Sequence, residues 1–82
     1  MLIRSPKELA MMMTSHRKKL KLSQGKVGDL VGLKQQTISE FEIKPESTQL
    51  ETLFRIMSAL NLDIIISPKD DPLTQTEWKE EW

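Results

Sequence analysis

The chain of 82 residues contains no cysteine and no tyrosine, and it has a single histidine. The lack of cysteine excludes disulfides and thiolate metal sites, and it is typical of a protein of the reducing cytosol. No apolar run approaches the roughly 20 residues that a membrane-spanning helix needs. His16 falls on an apolar helical stripe, so we interpret it as a core or boundary residue. These absences argue against an enzyme, and we expect a cytoplasmic protein without cofactor or metal.

The formal net charge of zero hides a strong segregation of charge along the chain. Residues 1–44 carry nine basic and four acidic side chains, a net charge of +5. Residues 45–82 carry three basic and eight acidic side chains, a net charge of −5. Such asymmetry is typical of a polyanion-binding face at one end of a protein and a different role at the other end.

Two flanking helices are indicated by capping residues and apolar spacing. Ser5-Pro6-Lys7-Glu8 is a capping box with proline at the first helical position, which predicts a helix from Pro6. Its expected core-facing residues are Leu9, Met12, Met13, His16 and Leu20. A later helix should be capped by Ser47 or Thr48 and end at Asn61. Its expected buried stripe is Leu50, Leu53, Phe54, Met57 and Leu60.

Residues 23–42 are typical of two short helices joined by a tight turn at Gly32. Ser23 should cap the first helix, whose apolar stripe is Val27, Leu30 and Val31. The second helix should run from about Gln35 to Glu42 and bury Ile38 and Phe41. Gly28 predicts a close approach of the second helix, whereas Gly25 has no evident packing reason. This pattern is that of a helix-turn-helix DNA-binding motif.

DNA reading requires polar side chains at the start of the second helix, where they meet base edges in the major groove. Glutamine suits this because its amide can bond to adenine N6 and N7 together. The expected base-reading residues are Lys34, Gln35, Gln36 and Ser39. The expected phosphate-binding residues are Ser23, Gln24, Thr37, Arg17, Lys18, Lys19 and Lys44. A plain solvated helix face is the alternative interpretation.

The run Leu62-Asp63-Ile64-Ile65-Ile66 is β-branched and bounded by Asn61 and Ser67-Pro68, which predicts one β-strand. A lone strand leaves backbone groups unpaired, and the simplest partner is the same strand of a second copy, paired antiparallel about a two-fold axis. We therefore expect dimerisation through Leu62, Ile64, Ile65 and Ile66. The alternative is an extended apolar segment lying on its own domain.

The predicted organisation is a DNA-binding domain over 1–61, a dimerisation strand over 62–67 and a flexible acidic tail over 68–82. The tail combines two prolines with mixed charge and has little apolar content apart from two tryptophans. Because tryptophan is enriched among binding hot spots, Trp78 and Trp82 are interpreted as a partner-binding element. The alternative is a frayed tail with incidental aromatics.

Two stretches, 22–42 and 47–64, resemble the Cro/C1-type (Xre) helix-turn-helix family. The resemblance rests on Leu22-Ser23-Gln24, the Gly32 turn, Thr37-Ile38-Ser39 and Glu42, although Gly25 and Gly28 replace the usual glutamate and alanine. Within that family the chain looks most like the HipB-like antitoxins, the small partners of HipA-type kinase toxins. That likeness lies in the SPKELAMMM opening, the LKQQTISEFE helix, the LDIII run and an acidic end at Glu81-Trp82.

The resemblance implies a mainly α, lambda-repressor-like domain of four to five helices with one C-terminal strand paired across a homodimer. It also implies a repressor that binds a palindromic double-stranded operator of its own operon and holds a HipA-like kinase toxin. The family's recognition-helix residues match Lys34, Gln35, Gln36 and Ser39. Two alternatives stay open: a stand-alone repressor of phage or plasmid type, and a protein-interaction scaffold whose DNA binding is incidental.

Overall fold

A computed structural model of the chain describes residues 2–69, and this part of the chain folds into four α-helices. They are α1 (Pro6–Lys19), α2 (Gln24–Val31), α3 (Gln35–Ile43) and α4 (Leu50–Ala59), with a 3-10 helix, Pro45–Ser47, before α4. The mainly α, helix-turn-helix architecture predicted from the sequence is confirmed. None of the helices within residues 2–69 is long and apolar enough to cross a membrane.

The start of α1 follows the predicted capping box, with one difference. The Ser5 hydroxyl accepts the backbone N–H of Glu8 at 3.1 Å, as expected. The Glu8 carboxylate accepts the backbone N–H of Arg4 at 2.6 Å, one residue before the cap. The Ser5 hydroxyl satisfies an amide that the first helical turn leaves without an intrahelical partner, and the Glu8 carboxylate fixes the chain just before the cap, so the boundary at Pro6 is well defined.

All four helices contribute to one apolar core. Its buried members are Ala10, Met13, Val27, Ile38, Phe41, Leu53, Ile56, Met57 and Leu60. The prediction that Leu20 faces the core is wrong, because its side chain is exposed, and Leu30, predicted as part of the apolar stripe of α2, is exposed as well. Each lies at or near the end of a helix, where the core no longer extends beneath it.

His16 is a structural residue, as its position on the α1 stripe predicted. It is half-buried, and its Nε2 donates to the backbone carbonyl of Leu60 at 3.1 Å. That carbonyl follows the last turn of α4, where backbone acceptors lack intrahelical donors. The hydrogen bond therefore ties α1 to the end of α4.

The start and the buried face of α4 differ from the predictions. Ser47 and Thr48 do not cap the helix, because they belong to the turn before it: the Ser47 hydroxyl donates to the Lys44 carbonyl at 3.3 Å, and the Thr48 amide donates to Pro45. Gln49 occupies the cap position without a side-chain hydrogen bond. Two predicted core residues, Leu50 and Phe54, are exposed, Phe54 by 57%. Ile56, absent from the predicted stripe, is buried instead.

Residues 62–67 follow α4 without strand pairing in the single chain. The Leu62 amide donates to the Met57 carbonyl at 2.9 Å, and its side chain packs against the core. Ile65 and Ile66 are 84% and 89% exposed. Pairing with a second copy, which a single chain cannot form, stays a prediction. Trp78 and Trp82 lie outside the described residues.

Candidate nucleic-acid interface

The turn between α2 and α3 is built on two glycines. Gly32 ends α2 in the left-handed conformation at φ 72°, and its amide donates to the Gly28 carbonyl. The Leu33 amide donates to the same carbonyl at 2.8 Å, which draws the turn back onto α2. A Cβ at Gly28 would collide with the Leu33 carbonyl oxygen. The predicted close approach at Gly28 is therefore present, but the approaching group belongs to the turn and not to α3.

Gly25, for which the sequence offered no packing reason, has none in the structure either. A Cβ at this position would meet only the Ser23 hydroxyl, at an ordinary 3.9 Å. Ser23 itself is the cap of α2 and accepts the Lys26 amide at 3.0 Å. Its hydroxyl hydrogen remains free to be donated, which is compatible with the predicted contact to a phosphate.

The residue that connects α1 to this unit is Arg17, which lies in the interior and not on the surface. Its Nε and Nη2 donate to the two carboxylate oxygens of Glu42, at 2.7 and 3.2 Å. Its Nη1 donates to the Leu22 carbonyl at 2.8 Å. Both charged side chains are only 11% exposed. Since the guanidinium is engaged by these partners, we leave Arg17 out of the phosphate-binding residues proposed below.

The Glu42 carboxylate also begins a chain of hydrogen bonds that leads to the surface. Its Oε1 accepts Nε2 of Gln24 at 2.9 Å, and Oε1 of Gln24 accepts Nε2 of Gln35 at 3.4 Å. A carboxylate only accepts, so it fixes which end of the Gln24 amide faces it, and the Gln24 oxygen then fixes the orientation of Gln35. The inner ion pair thus orients a side chain at the exposed start of α3.

The predicted base-reading residues are grouped at the start and on the outer face of α3. Lys34 is the exposed residue before the first turn, and Gln35 and Gln36 are exposed in that turn. Ser39, one turn later, is half-buried. Gln36 donates from Nε2 to the Glu40 carboxylate at 3.3 Å. The helix thus presents three long polar side chains from consecutive positions at one end.

The remaining predicted phosphate-binding residues come from several elements. Lys18 and Lys19 are exposed in the last turn of α1, and Lys44 is exposed directly after α3. Gln24 opens α2, where the helix dipole favours an anion, and Thr37 is half-buried in α3. Lys18, Lys19 and Lys44 are the cations of this group that are available to screen phosphates.

Sequence reasoning missed the role of Glu42. The acid was noticed as part of a motif, but its pairing with Arg17 joins residues 25 positions apart and could not be derived from local spacing. One signal was present: Glu42 lies four residues after Ile38, which the sequence predicts to be buried, so the two share a face of the helix on which a carboxylate needs a partner. A buried acid on a short helix therefore points to a buried base elsewhere in the chain.

Comparisons with known proteins agree with this geometry. A family model described as helix-turn-helix matches residues 15–66. The antitoxin HipB of Escherichia coli strain K12 is 34% identical over 82 residues, which cover 93% of each chain. A HipB-O4 20mer complex is similar in structure, with a TM-score of 0.81, 35% identity and coverage of 83% of this chain and 96% of that one. For a HipA-HipB-O2-O3 complex the TM-score is 0.83 with 34% identity, over 85% and 99% of the two chains.

Proposed function

The chain belongs to the Cro/C1-type helix-turn-helix family and within it to the HipB antitoxins, and we propose that it is a repressor that binds the operator of its own toxin–antitoxin operon and partners a HipA-like kinase. The observation that carries DNA reading is the oriented Gln35 at the start of α3. Its Nε2 donates to Oε1 of Gln24 at 3.4 Å, and Gln24 donates in turn to the Glu42 carboxylate. Preorganised side chains lose less conformational entropy on binding.

In this proposal α3 enters the major groove, and Lys34, Gln35, Gln36 and Ser39 meet base edges. Ser23, Gln24, Thr37, Lys18, Lys19 and Lys44 bind the phosphates on either side. The phosphate contacts hold the domain in register and supply affinity for any duplex, and the base contacts supply the choice of sequence. The protein has no catalytic role.

Two copies act together through residues 62–66, paired antiparallel across a two-fold axis. What supports this is that no backbone amide of residues 63–66 donates a hydrogen bond within the described chain, while Ile65 and Ile66 are exposed. A second strand pairs with these amides and covers the two isoleucine side chains. The operator is then a palindrome whose half-sites lie about 34 Å apart or a multiple of that distance.

The test of DNA reading is the binding of the full chain to a duplex from upstream of its own coding sequence, measured beside a random duplex by fluorescence anisotropy. Gln35→Ala should weaken binding to the upstream duplex by about 1–3 kcal/mol and relax one base position. Gln49→Ala is the matched control, because Gln49 is an exposed glutamine on another element. Equal loss on both duplexes would contradict base reading by Gln35.

A second set of variants separates phosphate contacts from base contacts. Lys18→Ala or Lys19→Ala should weaken binding to both duplexes alike, and each should lower the slope of log affinity against log salt by about 1. A loss confined to the upstream duplex would assign these lysines to base reading instead.

The kinase partner is tested by co-purification with the products of adjacent genes. We propose that the acidic tail, with Trp78 and Trp82, contributes to this complex. Full-length chain should retain the kinase, and a chain ending at residue 69 should lose most of it. If the shortened chain retains the kinase fully, the tail has no part in the complex; if neither chain retains it, the protein is a stand-alone repressor.

A further inference from the structure

The outer face of α3 carries a residue that the proposed function has not used. Gln36, Glu40 and Ile43 follow one another at spacings of four and three residues, so they share one face of the helix. All three are exposed, and this face lies opposite the buried Ile38 and Phe41. If α3 enters the major groove, the groove receives the carboxylate of Glu40 together with Gln36.

Glu40 and Gln36 are joined by one hydrogen bond, from Nε2 of Gln36 to Oε2 of Glu40 at 3.3 Å. The opposite orientation of the amide would set its oxygen against a carboxylate, so Glu40 decides which way the amide points. Among residues 2–69 neither side chain makes another hydrogen bond or ion pair. The Gln36 oxygen and the Glu40 carboxylate are therefore two neighbouring acceptors that face outward.

A carboxylate in the major groove meets a surface that is mostly unfavourable to it. The phosphates are negative, and guanine O6 and N7, adenine N7 and thymine O4 are all acceptors. Only the exocyclic amino groups, cytosine N4 and adenine N6, donate hydrogen bonds there. A hydrogen bond can therefore offset the cost of bringing Glu40 into the groove only where the carboxylate meets cytosine N4 or adenine N6.

We propose that Glu40, paired with Gln36, is a specificity-determining residue that selects a base with an exocyclic amino group at one position of each half-site and rejects guanine and thymine there. This inference rests on the proposed function, because it requires α3 to lie in the major groove. It adds a residue outside the base-reading set and gives it a definite chemistry. Glu40 also lowers affinity for unrelated DNA, since its charge is repelled wherever no amino group meets it.

The experiment is sequence selection by the full chain from a duplex library randomised over 20 base pairs. Because every base pair contains one amino base, the wild type should enrich, at one position per half-site, cytosine or adenine on one fixed strand and select against the reversed pair. Glu40→Gln keeps the size of the side chain but adds a donor, so discrimination against guanine and thymine at that position should fall by about tenfold. Preferences at the other positions should persist, and affinity for a random duplex should rise.

Glu46→Gln is the matched control, since it removes the same charge from an exposed residue on the 3-10 helix. It should leave the selected sequence unchanged. If Glu46→Gln relaxed the same base position as Glu40→Gln does, the effect would be one of net charge and the inference would be overturned.

The outcomes separate the inference from the function on which it rests. If the wild type enriches no sequence, base reading by α3 fails and the role of Glu40 fails with it. If the wild type enriches a site and Glu40→Gln enriches the same bases in the same ratios, DNA reading stands and the role of Glu40 is overturned.

Discussion

The unit formed by α2 and α3 and the region from α4 to residue 67 differ in what a single copy completes. In the first, the buried Glu42 carboxylate is paired with Arg17 of α1, and the pair leads through Gln24 to Gln35. In the second, apolar side chains such as Phe54, Ile65 and Ile66 stay exposed, and amides of residues 63–66 donate no hydrogen bond within the described chain. The first region completes its polar contacts within one copy, whereas the second leaves exposed the kind of apolar surface that protein interfaces cover.

The largest expected effect on stability comes from removing the buried ion pair of the first region. Arg17→Met should lower the free energy of unfolding by about 3–5 kcal/mol, because it leaves the Glu42 carboxylate buried without its partner. The exposed pair between Arg55 and Glu51, at 3.2 Å on α4, offers the matched control. Arg55→Met should cost only about 0.3–0.5 kcal/mol. Urea unfolding of the two variants measures these losses of free energy, and equal losses would contradict a stabilising buried pair.

A smaller effect tests the turn between α2 and α3. Gly28→Ala should lower the free energy of unfolding by about 1–3 kcal/mol, because the added Cβ collides with the Leu33 carbonyl oxygen. Gly25→Ala is the same substitution on the same helix with no such neighbour, and it should stabilise the protein by up to about 1 kcal/mol. Thermal or urea unfolding should give shifts of opposite sign. Stabilisation by both would mean that the turn relaxes without cost.

The smallest expected effect concerns the region from α4 to residue 67. Ile65→Lys should raise the dissociation constant of the dimer at least about tenfold, or roughly 1.4 kcal/mol, because it places a charge in the proposed strand pair. The stability of the monomer should change little, since Ile65 is exposed there. Met11→Lys, at an exposed methionine of α1, is the control. Sedimentation equilibrium measures the dissociation constant of each variant, and an unchanged constant for Ile65→Lys would contradict pairing through this segment.

Local signals in the sequence were sufficient for most helix boundaries. The limits of α2 follow from Ser23 as cap and Gly32 as stop, and both residues occupy those positions in the structure. The start of α1 at Pro6 follows from the Ser5 cap. These features depend on hydrogen bonds that span three or four residues, so local sequence carries them in full. The start of α4 was missed because Pro45–Ser47 forms a turn that competes for the same residues.

The sequence by itself determined that this is a helix-turn-helix protein, that Lys34, Gln35, Gln36 and Ser39 lie at the exposed start and outer side of its second helix, and that the segment after α4 is apolar. Only the tertiary structure decided that Arg17 is an interior residue, that Glu42 orients Gln24 and Gln35, and that Phe54 is exposed. The reason is physical. Capping and turn formation act over neighbouring residues, whereas the pairing of a buried charge and the covering of an apolar side chain depend on which helices meet across the core.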